Sequence, residues 1–553
     1  MIYRTRTGKP LGGDLLNSAS SAKDNPMNRR EFLATATSFG ATAATAYALL
    51  GISAAAASTE QHKMGGTVRI QQSVPAPKDP RLLATNQLAN FVRGWLEHLV
   101  VYENDGTFSP KLLESWSISE DSKTYMLNVR KGVTWNNGDP FTAHDVVRNI
   151  KRWCDTATEG NSMATRFATL VDADTGQAIE GAVEAVDDHT VRLNLPKADI
   201  TLIAGMSDYP ACIVHDSFSP DTMLDNPIGT GPYLPESYVA LERAVLTKNA
   251  DHSWWNEGNG AWMDRIEFLD YGQEPVSWQA AAEADEVDML HFISGDYVGL
   301  VGALDGWAQH DVVSASTFVV RPNQLAEVNG KKPYANKRVR RALQMAIDNS
   351  VLLELGVAGH GQVAENHHVA PAHPEYAPLP KQKYDPEGAL ALLKEAGMEG
   401  FEHEVSSLDA GEMKDIADAT AGQLRKAGLK VKRTVYPAST FWNGWSTYPF
   451  SVSPWNHRPL GVQVWALAYR SGAPWNEFGW ANEEFDAILE TAVATADVDK
   501  RRELVAAGAK LVQDEGVTVQ PFWTRLFNHT RENLVGGGIQ LSFDIHPDRL
   551  AWT

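Results

Sequence analysis

The sequence predicts an α/β protein of two lobes with a cleft between them, on three observations. At 553 residues the chain exceeds the ~250 to 300 residues at which a single hydrophobic core stops growing. From Thr59 onward, short apolar runs alternate with segments whose apolar residues recur at helical spacing. The composition, 43% hydrophobic and 21% charged, is that of an ordinary globular protein, neither disordered nor membrane-embedded.

Residues 1–57 stand apart from that pattern. Asn28-Arg29-Arg30-Glu31-Phe32-Leu33 precedes an Ala/Thr-rich run ending in Ala54-Ala55-Ala56-Ala57, which is a basic start, a weakly apolar middle and a small-residue cleavage site. The paired arginines resemble a twin-arginine export signal, and the middle carries too much Thr and Ser to span a membrane. Met27 sits just before the motif, so translation from Met27 instead of Met1 is an open expectation.

Further along, residues 66–70 read as a first strand and residues 86–101 as a helix. Residues 125–130 and 133–135 read as strands around a Lys131-Gly132 turn. Thr142 is placed to cap a helix over 143–154, and residues 191–195 alternate as a strand. A second block starts near residue 316, with a basic helix over 336–347. Asp385 precedes a proline and caps a helix over 388–396, which Gly397 stops. Residues 429–435 alternate as a strand does, and residues 462–468 form an alternating run in which Trp465 is free to face either way.

Several function classes fall away on composition. Without residues 1–57 the body holds 43 Lys and Arg against 66 Asp and Glu, a formal charge of −23, which repels nucleic acid and anionic lipid. The two cysteines, Cys154 and Cys212, lie far from the cleavage region, so a lipid-anchored product is not expected. Export permits a disulfide between them, and two buried thiols are the alternative. Asn366-His367-His368 and His373 suggest a metal at first sight, but no helical i, i+4 pair or Cys partner accompanies them, and no metal or cofactor is expected.

A run of short motifs follows in order: Asp105-Gly106 with Leu113-Glu114-Ser115-Trp116, Lys131-Gly132-Val133-Thr134-Trp135, Asn137-Gly138-Asp139-Pro140, Pro227-Ile228-Gly229-Thr230-Gly231-Pro232-Tyr233, Lys337-Arg338-Val339-Arg340-Arg341-Ala342-Leu343, and Pro371-Ala372-His373-Pro374-Glu375-Tyr376. Together they resemble the peptide/nickel class, family 5, of periplasmic solute-binding proteins of ABC importers. The resemblance implies a periplasmic-binding-protein-like fold of the class II, cluster C type. It implies lobe I from 58–101, 225–315 and 525–553, an inserted subdomain at 102–224, and lobe II at 316–524. It also implies a soluble periplasmic monomer that hands a small solute to a membrane permease and its ATPase. A peptide-like solute comes first, with an oligosaccharide or metal chelate as the alternative.

Residues 441–480 contain six tryptophans, and the resemblance sets this stretch on the cleft wall. Aromatic faces bury ring and apolar surface without demanding one hydrogen-bond pattern. Trp455 and Trp475, in loop-like sequence, are the leading ligand contacts, with Asn456 and His457 beside them, while Trp465 sits in the alternating run. Core packing is the alternative for each ring. Peptide-binding members carry an Asp in this region to pair with the α-ammonium, and Ala473 stands at the aligned place, which sets a free-amine dipeptide in doubt. Arg470 is a candidate for an anionic or polyol group, against a structural ion pair. Arg321 and Asn323 are candidates near the crossing between lobes, where Arg321 serves a ligand carboxylate or pins the hinge; Asn90 and Phe91, with Asn86 and Gln87, are candidates from the first helix. Asn476-Glu477 resembles the acid/base pair of barrel glycosidases, an enzyme of another class; that mechanism needs a second carboxylate ~5 to 9.5 Å away, usually on a later barrel strand, but only 76 residues follow Glu477 and eight strand-helix units do not emerge from the pattern.

Overall fold

Two long antiparallel strands, Trp307–Pro322 and Phe522–Arg531, run through the middle of the computed structural model, which describes residues 62–553 apart from 84, 120 and 410. The export signal, its cleavage region and the choice between Met1 and Met27 lie outside the described residues. Strand Trp307–Pro322 changes partner part-way along. Residues 307–313 pair with Phe522–Arg531, the register shifts between Val313 and Thr317, and residues 317–322 then pair with Phe450–Trp455. Backbone groups freed at such a shift need partners. Here Ser314 Oγ donates to the Thr524 carbonyl (2.8 Å), and the Ala315 N–H donates to His457 Nδ1 (3.0 Å).

The partner switch joins two halves of one mixed sheet, eleven-stranded among the described residues. On one side lie Met289–Ile293, Thr67–Gln71, Arg265–Leu269, Arg243–Lys248 and Tyr233–Val239; on the other lie Phe450–Trp455, Glu402–Leu408 and Lys430–Tyr436. Each half buries its own core. Val68, Ile70, Phe91, Trp95 and Phe268 pack together in the first, and Leu343, Ile416, Phe450, Val452 and Phe522 in the second. Two lobes therefore share a sheet but not a core, and the space between them is the cleft.

A separate antiparallel sheet, in the order Leu113–Ile118, Thr124–Val129, Thr190–Asn194, Val183–Asp187, falls between residues 102 and 224. Tyr125, Leu127, Val129, Val191 and Leu193 alternate onto its inner face and pack against Val146, Ile150 and Trp153 of helix Ala143–Trp153. That helix starts as its sequence requires: the Thr142 N–H donates to Asp145 Oδ2 (2.8 Å), closing a capping box. In the second lobe Asn336 accepts from the Arg338 N–H and Asp385 from the Gly388 N–H, both at 2.9 Å.

Three sequence-based elements are corrected. The helix expected over 86–101 covers only Gln87–Val92. Its carbonyls beyond that point are taken by another segment, since the Tyr233 N–H donates to Gly94 O and the Gly231 N–H to Trp95 O, and a Cβ on Gly94 would stand 2.6 Å from Leu246 Cδ1. Residues 133–135 form an isolated bridge between Thr134 and Pro140 instead of a strand. The alternating run 462–468 is the helix Gly461–Ala468; all but one of its residues are buried, so apolar alternation there reports burial and no period.

Cys154 and Cys212 are buried free thiols in different cores, and burial pushes both up to about 12. No helix of the described residues is long and apolar enough to cross a membrane.

Candidate functional site

The cleft encloses about 640 Å³ and takes its walls from both lobes. Lobe I supplies the start of helix Gln87–Val92, Tyr209, His291 and Phe292 from strand Met289–Ile293, and Phe543. Phe543 sits at φ +60°, a left-handed conformation that costs a bulky residue ~1 to 3 kcal/mol unless the surroundings hold it. They do: the Phe543 carbonyl accepts from Asn86 Nδ2, from Asn90 Nδ2 (3.3 Å) and from His291 Nε2 (2.7 Å), and its ring meets Phe292 edge-on at 5.4 Å. Burial lowers the His291 imidazole to about 4, so the ring is neutral and acts as a donor through Nε2.

Lobe II supplies Trp442 and Trp445 around the end of helix Ala438–Asn443, then Pro454, Trp455 and Asn456 where strand Phe450–Trp455 ends, then Arg458 and Trp475. Trp455 and Trp475 meet edge to face at 6.0 Å. Of the six tryptophans in residues 441–480, these four line the cleft, and the other two are core. Trp480 packs on Phe485 at 4.7 Å. A smaller cavity of about 190 Å³ adjoins the cleft and shares Phe292, Trp455, Asn456 and Phe543 with it.

The candidates read from sequence divide accordingly. Trp455, Trp475 and Asn456 line the cleft, as do Asn86 and Gln87. Trp465 is corrected to a core residue: it has 0% exposure, sits on a helix, and donates from Nε1 to the His367 carbonyl (3.0 Å). Arg321 is likewise unavailable to a solute. It is fully buried and ion-paired with Glu477, and burial lowers its guanidinium pKa while that carboxylate opposes the shift. Glu477 also accepts from Ser453 Oγ (2.5 Å) and Trp455 Nε1 (2.6 Å), so both carboxylate oxygens are engaged. The Asn-Glu pair is thus part of the wall's frame and presents no carboxylate to the cleft.

Asn323 anchors a turn, donating to the Ser446 carbonyl (3.2 Å) and accepting from the Leu325 N–H (3.0 Å). Asn90 and Phe91 face inward. Asn90 is spent on Gln72 Oε1 and on the Ile545 N–H, which donates to it, and Phe91 packs among Trp95, Tyr238 and Phe268. Arg470 follows the helix Gly461–Ala468 away from the cleft lining, and its charge lies near Glu490. Ala473 lies outside the lining as well.

His457 is buried and bridges the lobes, with Nε2 3.0 Å from the Tyr102 hydroxyl and Nδ1 accepting from the Ala315 N–H. His367 bonds Glu365 (2.7 Å), His368 bonds the Tyr469 hydroxyl (3.1 Å) and His373 bonds the Arg458 carbonyl (3.0 Å). Among the described residues no group of three His, Cys, Asp or Glu is arranged to hold a metal ion.

Sequence reasoning missed Arg458, Tyr209, His291, Phe292 and Phe543. Arg458 carried a signal, since it follows Asn456-His457 in the tryptophan-rich stretch; the lobe I residues carried none, because each sits in an apolar or loop segment that looks like any other.

Comparison with known proteins agrees with this geometry. The sequence profile described as "Bacterial extracellular solute-binding proteins, family 5 Middle" matches residues 107–477. Heme-binding protein A of Haemophilus influenzae is 25% identical over 462 residues, 75% of this chain and 79% of that protein. The periplasmic oligopeptide-binding protein OppA of the same organism is 24% identical over 495 residues, 83% and 87% of the two chains. Among solved structures, the PBP AgaA in complex with agropinic acid from A.tumefacien R10 superposes with a TM-score of 0.74 at 18% identity, covering 88% of this chain and 99% of its own. With more than half of its length inside the family profile, the chain belongs to the bacterial extracellular solute-binding proteins of family 5.

Proposed function

We propose that the protein is the extracytoplasmic solute receptor of an ABC importer, taking a peptide-like solute into the cleft and delivering it to a membrane permease and its ATPase. The observation that carries this is the aromatic cleft of about 640 Å³ walled by both lobes, within the size range of small-molecule sites. Strand Trp307–Pro322 changes lobes at its register shift, which is the place for a hinge. A solute touching both walls then favours the closed arrangement by its differential contacts, with open and closed states a few kcal/mol apart. No bond is made or broken in this scheme.

The relatives' printed names include oligopeptide and heme binding, which supports receptor function and leaves solute choice to this chain's own cleft. Export by the twin-arginine signal with cleavage after the Ala54–Ala57 region, a monomeric periplasmic protein without a lipid anchor, and the division into lobe I, inserted subdomain and lobe II belong to the same reading. The test is native mass spectrometry of the mature protein taken from the periplasm of its own host, followed by denaturation and identification of what is released. A released peptide-like solute is expected. A glycan or metal chelate would reassign the cargo, and turnover of chromogenic glycosides that disappears in Glu477→Gln would overturn receptor function.

A further inference from the structure

Arg458 is the one charged side chain among the described residues that line the cleft; no Asp, Glu or Lys joins it. It is only 5% exposed, yet its guanidinium is nearly unpartnered. Nη1 donates to the carbonyl of the neighbouring His457 (3.0 Å), and the buried Nε finds no acceptor. The nearest carboxylate, Asp208 Oδ2, stands 3.9 Å from Nε, beyond a hydrogen bond. Asp208 is already engaged, since Arg166 Nε donates to the same oxygen at 2.6 Å and the Tyr209 N–H to the other at 2.9 Å. Two buried guanidinium groups thus share one carboxylate, which leaves one positive charge uncompensated at the cleft wall. A guanidinium carries five donors in a planar fork, and leaving them unmet in a dry site is costly.

We propose, on the receptor reading above, that the cleft selects solutes bearing a single oxyanion, a carboxylate in a peptide-like solute, which docks on the Arg458 fork while the body of the solute lies against Trp442, Trp445, Trp455 and Trp475, and that it provides no seat for a free ammonium. Three features support this. The low-polarity wall strengthens an ion pair that a solute completes. Within the cleft lining an ammonium would meet no carboxylate: Glu477, behind Trp455 in the lobe II wall, is neutralised by Arg321 with both oxygens bonded, and Glu412 lines only the adjoining cavity, together with Arg525. Ring faces attract cations in general, but the Arg458 charge in the same wall opposes one. The position also suits closure, because Arg458 comes from lobe II while Asp208 and Tyr209 belong to the segment after helix Leu202–Ser207, so an anion placed here bridges the two sides.

The test presents the purified mature protein with three pools of short peptides of matched sequence and reads retention by native mass spectrometry and affinity by calorimetry on the members retained. One pool is N-acetylated with free carboxylates, one is N-acetylated and C-amidated, and one has free amines and amidated C-termini. Retention of the first pool, with a loss of about 10- to 100-fold on amidation and on Arg458→Gln, is expected for a charge-assisted fork. Arg458→Lys, which keeps the charge and loses the fork, should fall between, and Arg470→Gln should bind as the parent does. Equal or better retention of an amidated pool, or unchanged affinity in both Arg458 variants, overturns the inference and leaves the receptor reading standing. Retention from no pool overturns the inference and the peptide-like cargo with it, and leaves receptor function to the identification of the solute released from the native protein. Replacing the carboxylate by a phosphate ester on the tightest member distinguishes the two oxyanions: equal affinity would overturn carboxylate selection and leave a general oxyanion site.

Discussion

Arg321 and Glu477 meet at 0% exposure, and the arrangement around them shows why removing one partner is worse than removing both. The Glu477 carboxylate is also held by Ser453 and Trp455, so Arg321→Met would strand a buried charge whose other donors cannot neutralise it. A loss of ~3 to 5 kcal/mol is expected in denaturant unfolding, with much of it recovered in Arg321→Met/Glu477→Gln; equal losses in the single and double variants would contradict this. Trp465 and Trp475 lie ten positions apart and test the core against the cleft. Trp465→Ala empties a fully buried site and should cost ~3 to 5 kcal/mol of stability. Trp475→Ala, half-buried on the cleft wall, should cost far less and weaken solute binding, read as a smaller ligand-induced rise in Tm. Identical melting of the two ligand-free variants would show that Trp475 is structural.

The helix Gly461–Ala468 is buried in one core with helix Glu483–Val493 and the long helix Val498–Glu515, whose Gly508 comes close to Trp465. A Cβ on Gly508 would stand 2.8 Å from Trp465 Cζ3 and 3.3 Å from Ile488 Cγ2. Gly508→Ala therefore sets two effects against each other. Helix propensity favours alanine by ~1 kcal/mol, while overpacking a close contact costs ~1 to 3 kcal/mol. A net destabilisation is expected in thermal or denaturant unfolding, and a gain in Tm would show that the Trp465 ring yields. The same close packing explains why period alone misread this element. A helix buried on nearly every side has no polar face to reveal its 3.6-residue repeat, whereas helix Ala143–Trp153, with one buried stripe and a capping threonine, announced itself.

Across the whole molecule, buried histidines make stability pH-dependent. Burial holds His291, His373, His403 and His529 at about 4 and His368 at about 3, against an ordinary value of 6.5. His98, His457 and His546 lie well below that value for the same first reason. Unfolded, these rings take up protons near pH 6.5 that the native state refuses, so the unfolded chain binds more protons below that point. Their contribution is fully present above pH 6.5 and is lost as the pH falls towards 4. Tm should decline progressively from about pH 6.5 to pH 4.5; a constant Tm over that window would show that these rings are not held neutral. His457 gives the effect a place, because protonating it disturbs the Tyr102 contact and the Ala315 bond at the sheet's register shift.

The amino-acid sequence by itself determined the two-lobed α/β class, the strands at residues 66–70, 125–130, 191–195 and 429–435, and the capped starts after Thr142 and Asp385. These are local: a capping side chain reaches its own N–H groups, and alternation over a few residues reports one buried face. The motif order carried the family. Tertiary structure alone decided which tryptophans line the cleft, since Trp465 and Trp475 differ by what distant helices set against them and not by their neighbours in the chain. It also decided that Arg321 is satisfied and Arg458 is not. Both are arginines near apolar strands, and whether a guanidinium is paired depends on a carboxylate brought from 156 positions away for Arg321, and on one already spent on Arg166 for Arg458.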